Sequence, residues 1–118
     1  MRRLLFIFML IAAVALISGC TDYLSPMESR PPGEVETTEV IMQNYRFLPQ
    51  DIRVSVGDTV TWTNNDRVTH TVTADNGAFD SGDFGPGETF SYTYQQEGIF
   101  GYSCTIHPGM IGTVTVVE

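Results

Sequence analysis

The sequence predicts an all-β domain of about eight strands folded as a sandwich or barrel. Two observations carry this: apolar residues alternate with period two in short runs, and turn residues separate those runs at near-regular intervals. No window sustains a helical period. In chain order the strands are expected near 35–42, 51–56, 59–63, 68–74, 78–83, 88–94, 99–104 and 111–117. Ile52, Val54 and Val56 alternate with Arg53 and Ser55, and Gly57-Asp58 turns the chain. Val60 and Trp62 then alternate with threonines up to Asn64-Asn65-Asp66. Val68, His70, Val72 and Ala74 share one face of the next run. Beyond Gly85-Pro86-Gly87, the triplets Phe90-Tyr92-Tyr94, Phe100-Tyr102-Cys104 and the pair Val114-Val116 repeat the pattern, with Glu97-Gly98 punctuating them. A domain of this size buries a modest core, so a bound metal ion would add noticeably to its stability.

The chain divides into three stretches: residues 1–19, 20–34 and 35–118. The first has Arg2 and Arg3, an unbroken apolar run from Leu4 to Ile17, and then Ser18-Gly19-Cys20. That run is short for a membrane span and has the form of a secretory signal peptide; an uncleaved anchor helix is the alternative. Ile17-Ser18-Gly19-Cys20 resembles a lipoprotein lipobox, which implies acylation of Cys20 and a lipid anchor. Residues 20–34, with Pro31-Pro32-Gly33, read as a flexible tether reaching about 40 Å when extended.

The chain has six arginines and lysines together against fourteen acids, a formal charge of −8. Loss of Arg2 and Arg3 with a signal peptide leaves four arginines, no lysine and a charge of −10. Nucleic acid is therefore excluded as a partner, because nothing would neutralise its phosphates. The acid content suits a soluble surface or a cationic protein partner. The two cysteines would ordinarily pair in an exported protein. If Cys20 is lipidated, Cys104 is left as a lone thiol in an oxidising compartment, and a metal is its usual occupant.

Taken singly, an inward histidine or cysteine is most often plain core. The segment Cys104-Thr105-Ile106-His107-Pro108-Gly109-Met110 changes that reading. Ligand types at i, i+3 and i+6 in a tight inter-strand loop can curl round one ion, with Pro108 and Gly109 assisting the turn. Thiolate, imidazole and thioether form a soft set suited to copper. Adding His70, the only other histidine, supplies two imidazoles and a thiolate in a trigonal plane with a weak axial methionine.

Residues 35–118 resemble a cupredoxin of the plastocyanin/amicyanin group and the halocyanin-like proteins of archaea. The resemblance rests on Tyr45-Arg46-Phe47-Leu48-Pro49, Val56 to Trp62, Thr69 to Val72, Gly87 to Phe90 and the Cys104–Met110 loop, whose spacing is that of amicyanin. It implies a Greek-key β-sandwich with one type 1 copper at one end. His70 would be the upstream ligand, Cys104 the thiolate, His107 the partly exposed ligand and Met110 the axial one. Thr71 stands where many relatives carry an asparagine that ties the two ligand loops together; a contact from its hydroxyl to Thr105 would serve instead, and the sequence leaves that open. Phe47, Trp62, Tyr102 and Ile106 are expected to form a dry shell, with His107, Pro108 and Gly109 at the electron port.

The function expected is single-electron transfer without turnover of a substrate. The carrier would be a monomer on the outer face of the cytoplasmic membrane or in the periplasm, exchanging electrons with a c-type cytochrome or membrane oxidoreductase. Copper delivery is the main rival, but such carriers use methionine- or histidine-rich clusters, and beyond the signal only Met27, Met42 and Met110 remain. A copper enzyme would need more histidines than two, and zinc at Cys104 would make poor use of Met110.

Overall fold

The computed structural model describes residues 31–118. The expected signal peptide, Cys20 and residues 20–30 of the expected tether lie outside the described residues.

Nine strands form two packed sheets among the described residues. They are β1 (Val35–Glu36), β2 (Glu39–Gln43), β3 (Arg46–Leu48), β4 (Asp51–Ser55), β5 (Thr59–Asn64), β6 (Thr73–Ala74), β7 (Thr89–Thr93), β8 (Gly98–Ser103) and β9 (Ile111–Val117). One sheet runs β1-β4-β9-β8-β6 and the other β3-β2-β5-β7. This is the two-layer sandwich that period-two alternation predicts. Val40 and Met42, Ile52 and Val54, Val60 and Trp62, and Val114 and Val116 all face inward and are buried. Three pairings are parallel (β1 with β4, β4 with β9, β2 with β5), so neighbours in the sheets are often distant in sequence.

The expected strands at 51–56, 59–63, 88–94, 99–104 and 111–117 are all present within a residue or two. Three departures have physical causes. The expected strand at 35–42 is two, β1 and β2, because the chain crosses there from one sheet to the other. β3 was not anticipated: the hairpin joining it to β2 turns on Asn44 and Tyr45, both with positive φ (55° and 60°), where glycine is the usual signal. The expected strands at 68–74 and 78–83 shrink to β6 and two isolated bridges, His70 with Phe84 and Thr73 with Asp80. Side chains there take the backbone groups that a ladder would use. Val72 N–H donates to Ser81 Oγ at 2.8 Å, and Asn64 Nδ2 donates to the carbonyls of Val68 and Phe84.

Glu34 is fastened to the sandwich. Its carboxylate pairs with Arg53 Nε at 2.6 Å and accepts from Thr115 Oγ1 at 2.9 Å, bracing β4 and β9.

The core is aromatic. Trp62 is fully buried between the sheets, edge-on to Tyr102 at 5.3 Å and tilted against Phe79 and Phe90 at 5.9 Å. Phe47 meets the far side of Tyr102 at 4.7 Å. Such pairs add about 0.5–1.5 kcal/mol each beyond the burial itself. Burial pushes the Tyr94 and Tyr102 phenols well above their ordinary range. The Trp62 indole opposes this at Tyr102, although neither Trp62 Nε1 nor the Tyr102 hydroxyl has a partner in hydrogen-bonding geometry among the described residues. Gly112 lies directly under the Tyr102 ring, and a Cβ there would overlap the ring and its hydroxyl. Gly112→Ala is accordingly expected to destabilise the fold by about 1–3 kcal/mol, the usual result of overpacking, read as a lower urea midpoint.

Candidate metal centre

At one end of the sandwich, β8 and β9 are adjacent antiparallel strands whose Ser103 and Ile111 pair. The residues between them must therefore form a tight loop. Two backbone bonds close it: Cys104 N–H donates to the Met110 carbonyl at 3.0 Å, and Met110 N–H donates to the His107 carbonyl at 3.2 Å. Gly109 has φ of 87°, the left-handed backbone that the turn needs and that glycine adopts without strain. Cys104 and Met110 are each 3% exposed, whereas His107 between them is half-buried.

His70 arrives from the segment before β6, fully buried. Reciprocal backbone bonds with Phe84, at 3.1 and 2.9 Å, hold it in place. Its Nδ1 lies 3.1 Å from His107 Nδ1 and 3.7 Å from Cys104 Sγ, and Sγ lies 3.5 Å from His107 Nδ1. A circle through these three atoms has a radius of about 2.0 Å. Imidazole nitrogen and thiolate sulfur bind a first-row metal at about 2.0–2.3 Å. The triangle thus has the size of a metal site, and its donor set of two imidazoles and one thiolate is the trigonal set of blue copper.

The tautomer of His70 follows from its other nitrogen. Nε2 lies 2.7 Å from Asp66 Oδ2, and a carboxylate only accepts, so Nε2 carries the hydrogen and Nδ1 offers a lone pair to the triangle. Burial raises the Asp66 carboxyl, but hydrogen bonds from His70 and from the Tyr45 and Asn44 amides outweigh it and hold the group below its ordinary value. The sulfur accepts the Thr71 amide at 3.4 Å. The Thr71 hydroxyl accepts from the Thr105 amide at 2.9 Å and lies 3.1 Å from Thr105 Oγ1. Threonine therefore ties the two ligand segments together.

All four ligand candidates meet at this end of the fold, with His70, Cys104 and His107 grouped directly and Met110 closing the loop. Of the expected dry shell, Phe47, Trp62 and Tyr102 are core residues, but Ile106 is 43% exposed and belongs to the outer surface. It stands in the middle of the loop, where a side chain has no sheet to pack against. Two residues escaped sequence reasoning. Asp66 reads as part of the Asn64-Asn65-Asp66 turn. Tyr45 figures in the sequence only as the start of the Tyr45–Pro49 stretch, yet its ring stands edge-on to His107 at 4.8 Å and to His70 at 5.8 Å.

Residues 34–117 match the family of copper binding proteins described as the plastocyanin/azurin family. The chain belongs to this family, the cupredoxins. Its cofactor is copper. Among curated relatives, it is 32% identical to amicyanin-alpha of Methylorubrum extorquens over 98% of this chain and 99% of the relative. It is 35% identical to plastocyanin of Scenedesmus fuscus over 59% of this chain and 85% of that one. Among solved structures, a purple cupredoxin from Nitrosopumilus maritimus superposes with a TM-score of 0.62 at 34% identity, covering 66% of this cupredoxin and 97% of that chain.

Proposed function

We propose that this cupredoxin is an exported, lipid-anchored carrier of single electrons, with one type 1 copper held by His70, Cys104, His107 and Met110. The observation that carries the reading is the triangle of Nδ1, Nδ1 and Sγ, sized for one metal ion and made of blue-copper donors. When bound, copper supplies the one-electron couple between Cu(I) and Cu(II).

The chain's own residues supply the rest. Cys104 and His70 are buried, and backbone bonds to Met110 and Phe84 hold them, so neither moves readily when the charge of the site changes. Phe47 and Tyr102 are buried against each other in the same core cluster as Cys104, and a dry core beside the site would limit the solvent reorganisation that accompanies electron transfer. His107 is the one imidazole of the set with an exposed edge. Around it, Tyr45 is 51% and Ile106 43% exposed, and Pro108 and Gly109 are exposed as well. This apolar rim suits brief docking of a redox protein, such as a c-type cytochrome or a membrane oxidoreductase.

Copper loading followed by visible spectroscopy tests the reading. An intense thiolate-to-copper band is expected; copper bound without it would indicate a delivery protein. Met110→Leu should keep the band and raise the reduction potential, because an axial donor stabilises Cu(II), and voltammetry reads the shift. Cys20→Ser should move the protein from the membrane pellet to the soluble fraction with its spectrum unchanged. A variant that still pellets would mean that residues 4–17 remain as an uncleaved helix.

A further inference from the structure

Three donors converge on the Asp66 carboxylate. His70 Nε2 lies 2.7 Å from Oδ2, the Tyr45 amide donates to Oδ2 at 3.0 Å, and the Asn44 amide donates to Oδ1 at 2.7 Å. The two amides belong to the turn between β2 and β3, whose residues both hold positive φ. That turn carries the Tyr45 ring that stands edge-on to His107. One side chain therefore touches a buried ligand candidate and also fixes the turn that covers the exposed one.

The support of Asp66 is itself built in. Its amide donates to Asn64 Oδ1 at 2.9 Å, and the fully buried Asn64 spends its amide hydrogens on the Val68 and Phe84 carbonyls. Phe84 is the residue whose backbone bonds hold His70. Asp66 and His70 are thus fixed to the same frame, and the 2.7 Å contact between them does not depend on a mobile arm.

We propose that Asp66 is a positioning residue for electron transfer: it locks His70 in the Nε2–H tautomer that presents Nδ1 to copper, and seats Tyr45 against His107. The inference rests on the copper reading of the site. A carboxylate on the far nitrogen makes the imidazole a stronger donor, which favours Cu(II) over Cu(I). The requirement is specific to a carboxylate. An amide has one acceptor oxygen, and its NH2 would face either the Asn44 amide or both His70 Nε2–H and the Tyr45 amide, donor against donor. The longer arm of glutamate keeps two acceptor oxygens.

The test has a metal-free and a copper-loaded arm. In the metal-free wild type, long-range nitrogen–proton NMR should show His70 as the Nε2–H tautomer with a slowly exchanging ring proton; an Nδ1–H tautomer overturns the proposal whatever the variants do. Asp66→Ala, which removes every acceptor, should lose that proton and the exchange protection of the Asn44 and Tyr45 amides. In its copper form the balance should shift about tenfold toward Cu(I), equivalent to a rise of about 59 mV for one electron. Asp66→Glu should restore the tautomer and most of the potential. A role confined to bracing the turn would lower stability in Asp66→Ala with the potential unmoved, and that result overturns the proposal. A protein that takes up no copper yet shows the Nε2–H tautomer defeats the copper reading alone, so the two failures are distinct.

Discussion

Cys104→Ser is expected to abolish the intense visible band and to weaken copper binding by more than the roughly 10–100-fold that loss of an outer hydrogen-bond partner brings. The thiolate is the soft donor in the triangle, and the charge-transfer colour originates in its bond to the metal. A serine hydroxyl stays protonated near neutral pH and leaves two imidazoles and a buried thioether. The metal-free fold should survive, because the substitution is nearly isosteric and the Cys104 amide keeps its bond to the Met110 carbonyl. Copper should then raise the thermal midpoint of the wild type and leave that of the variant nearly unmoved, since only a ligand that binds the native state stabilises it. A blue Cys104→Ser protein would remove the basis for the site.

Trp62→Ala should have the largest effect on folding. The side chain is fully buried, and it contacts Tyr102, Phe79 and Phe90 across both layers of the sandwich. Truncation of such a residue costs about 3–5 kcal/mol, against a total stability of about 5–15 kcal/mol for ordinary domains. Trp62→Phe should be milder, because it keeps a ring between the same neighbours and removes an indole N–H that has no hydrogen-bond partner. Urea unfolding of the metal-free proteins separates the two: the alanine midpoint should fall by about 2 M if the slope is near 2 kcal/mol/M, and the phenylalanine midpoint by much less.

The parts of the fold legible in sequence are those where burial and alternation coincide. β4, β5 and β9 each bury every second residue, so their side chains state their own orientation. Legibility fails where side chains replace the ladder. Between Val68 and Phe84 the alternation breaks down, since Thr71 is buried along with His70 and Val72, and Ser81, Asn64 and the Cys104 sulfur take the backbone partners of a strand. β3 stayed hidden because its turn uses Asn44 and Tyr45 without glycine, and what supports that turn is a carboxylate more than twenty positions away. The ligand loop was readable because three donor types crowd into seven residues. Asp66 was not, since an acid after two asparagines looks like any turn until its distance to His70 is known.

The position of β9 between β4 and β8 has a consequence for the order of assembly. The β8–β9 hairpin closes across a short loop and brings Cys104, His107 and Met110 together as a local unit. The parallel pairing of β4 with β9 joins residues such as Asp51 and Thr113, 62 positions apart, and loop closure over that span makes it the slower event. His70 reaches the thiol only when β6 has paired with β8 at the edge of that sheet. The hairpin alone therefore offers three donors on a pliable strip, and an ion caught at that stage could impose its own preferred shape. Once the second imidazole is walled in, the roles reverse: the protein dictates the coordination, and one geometry has to serve both oxidation states.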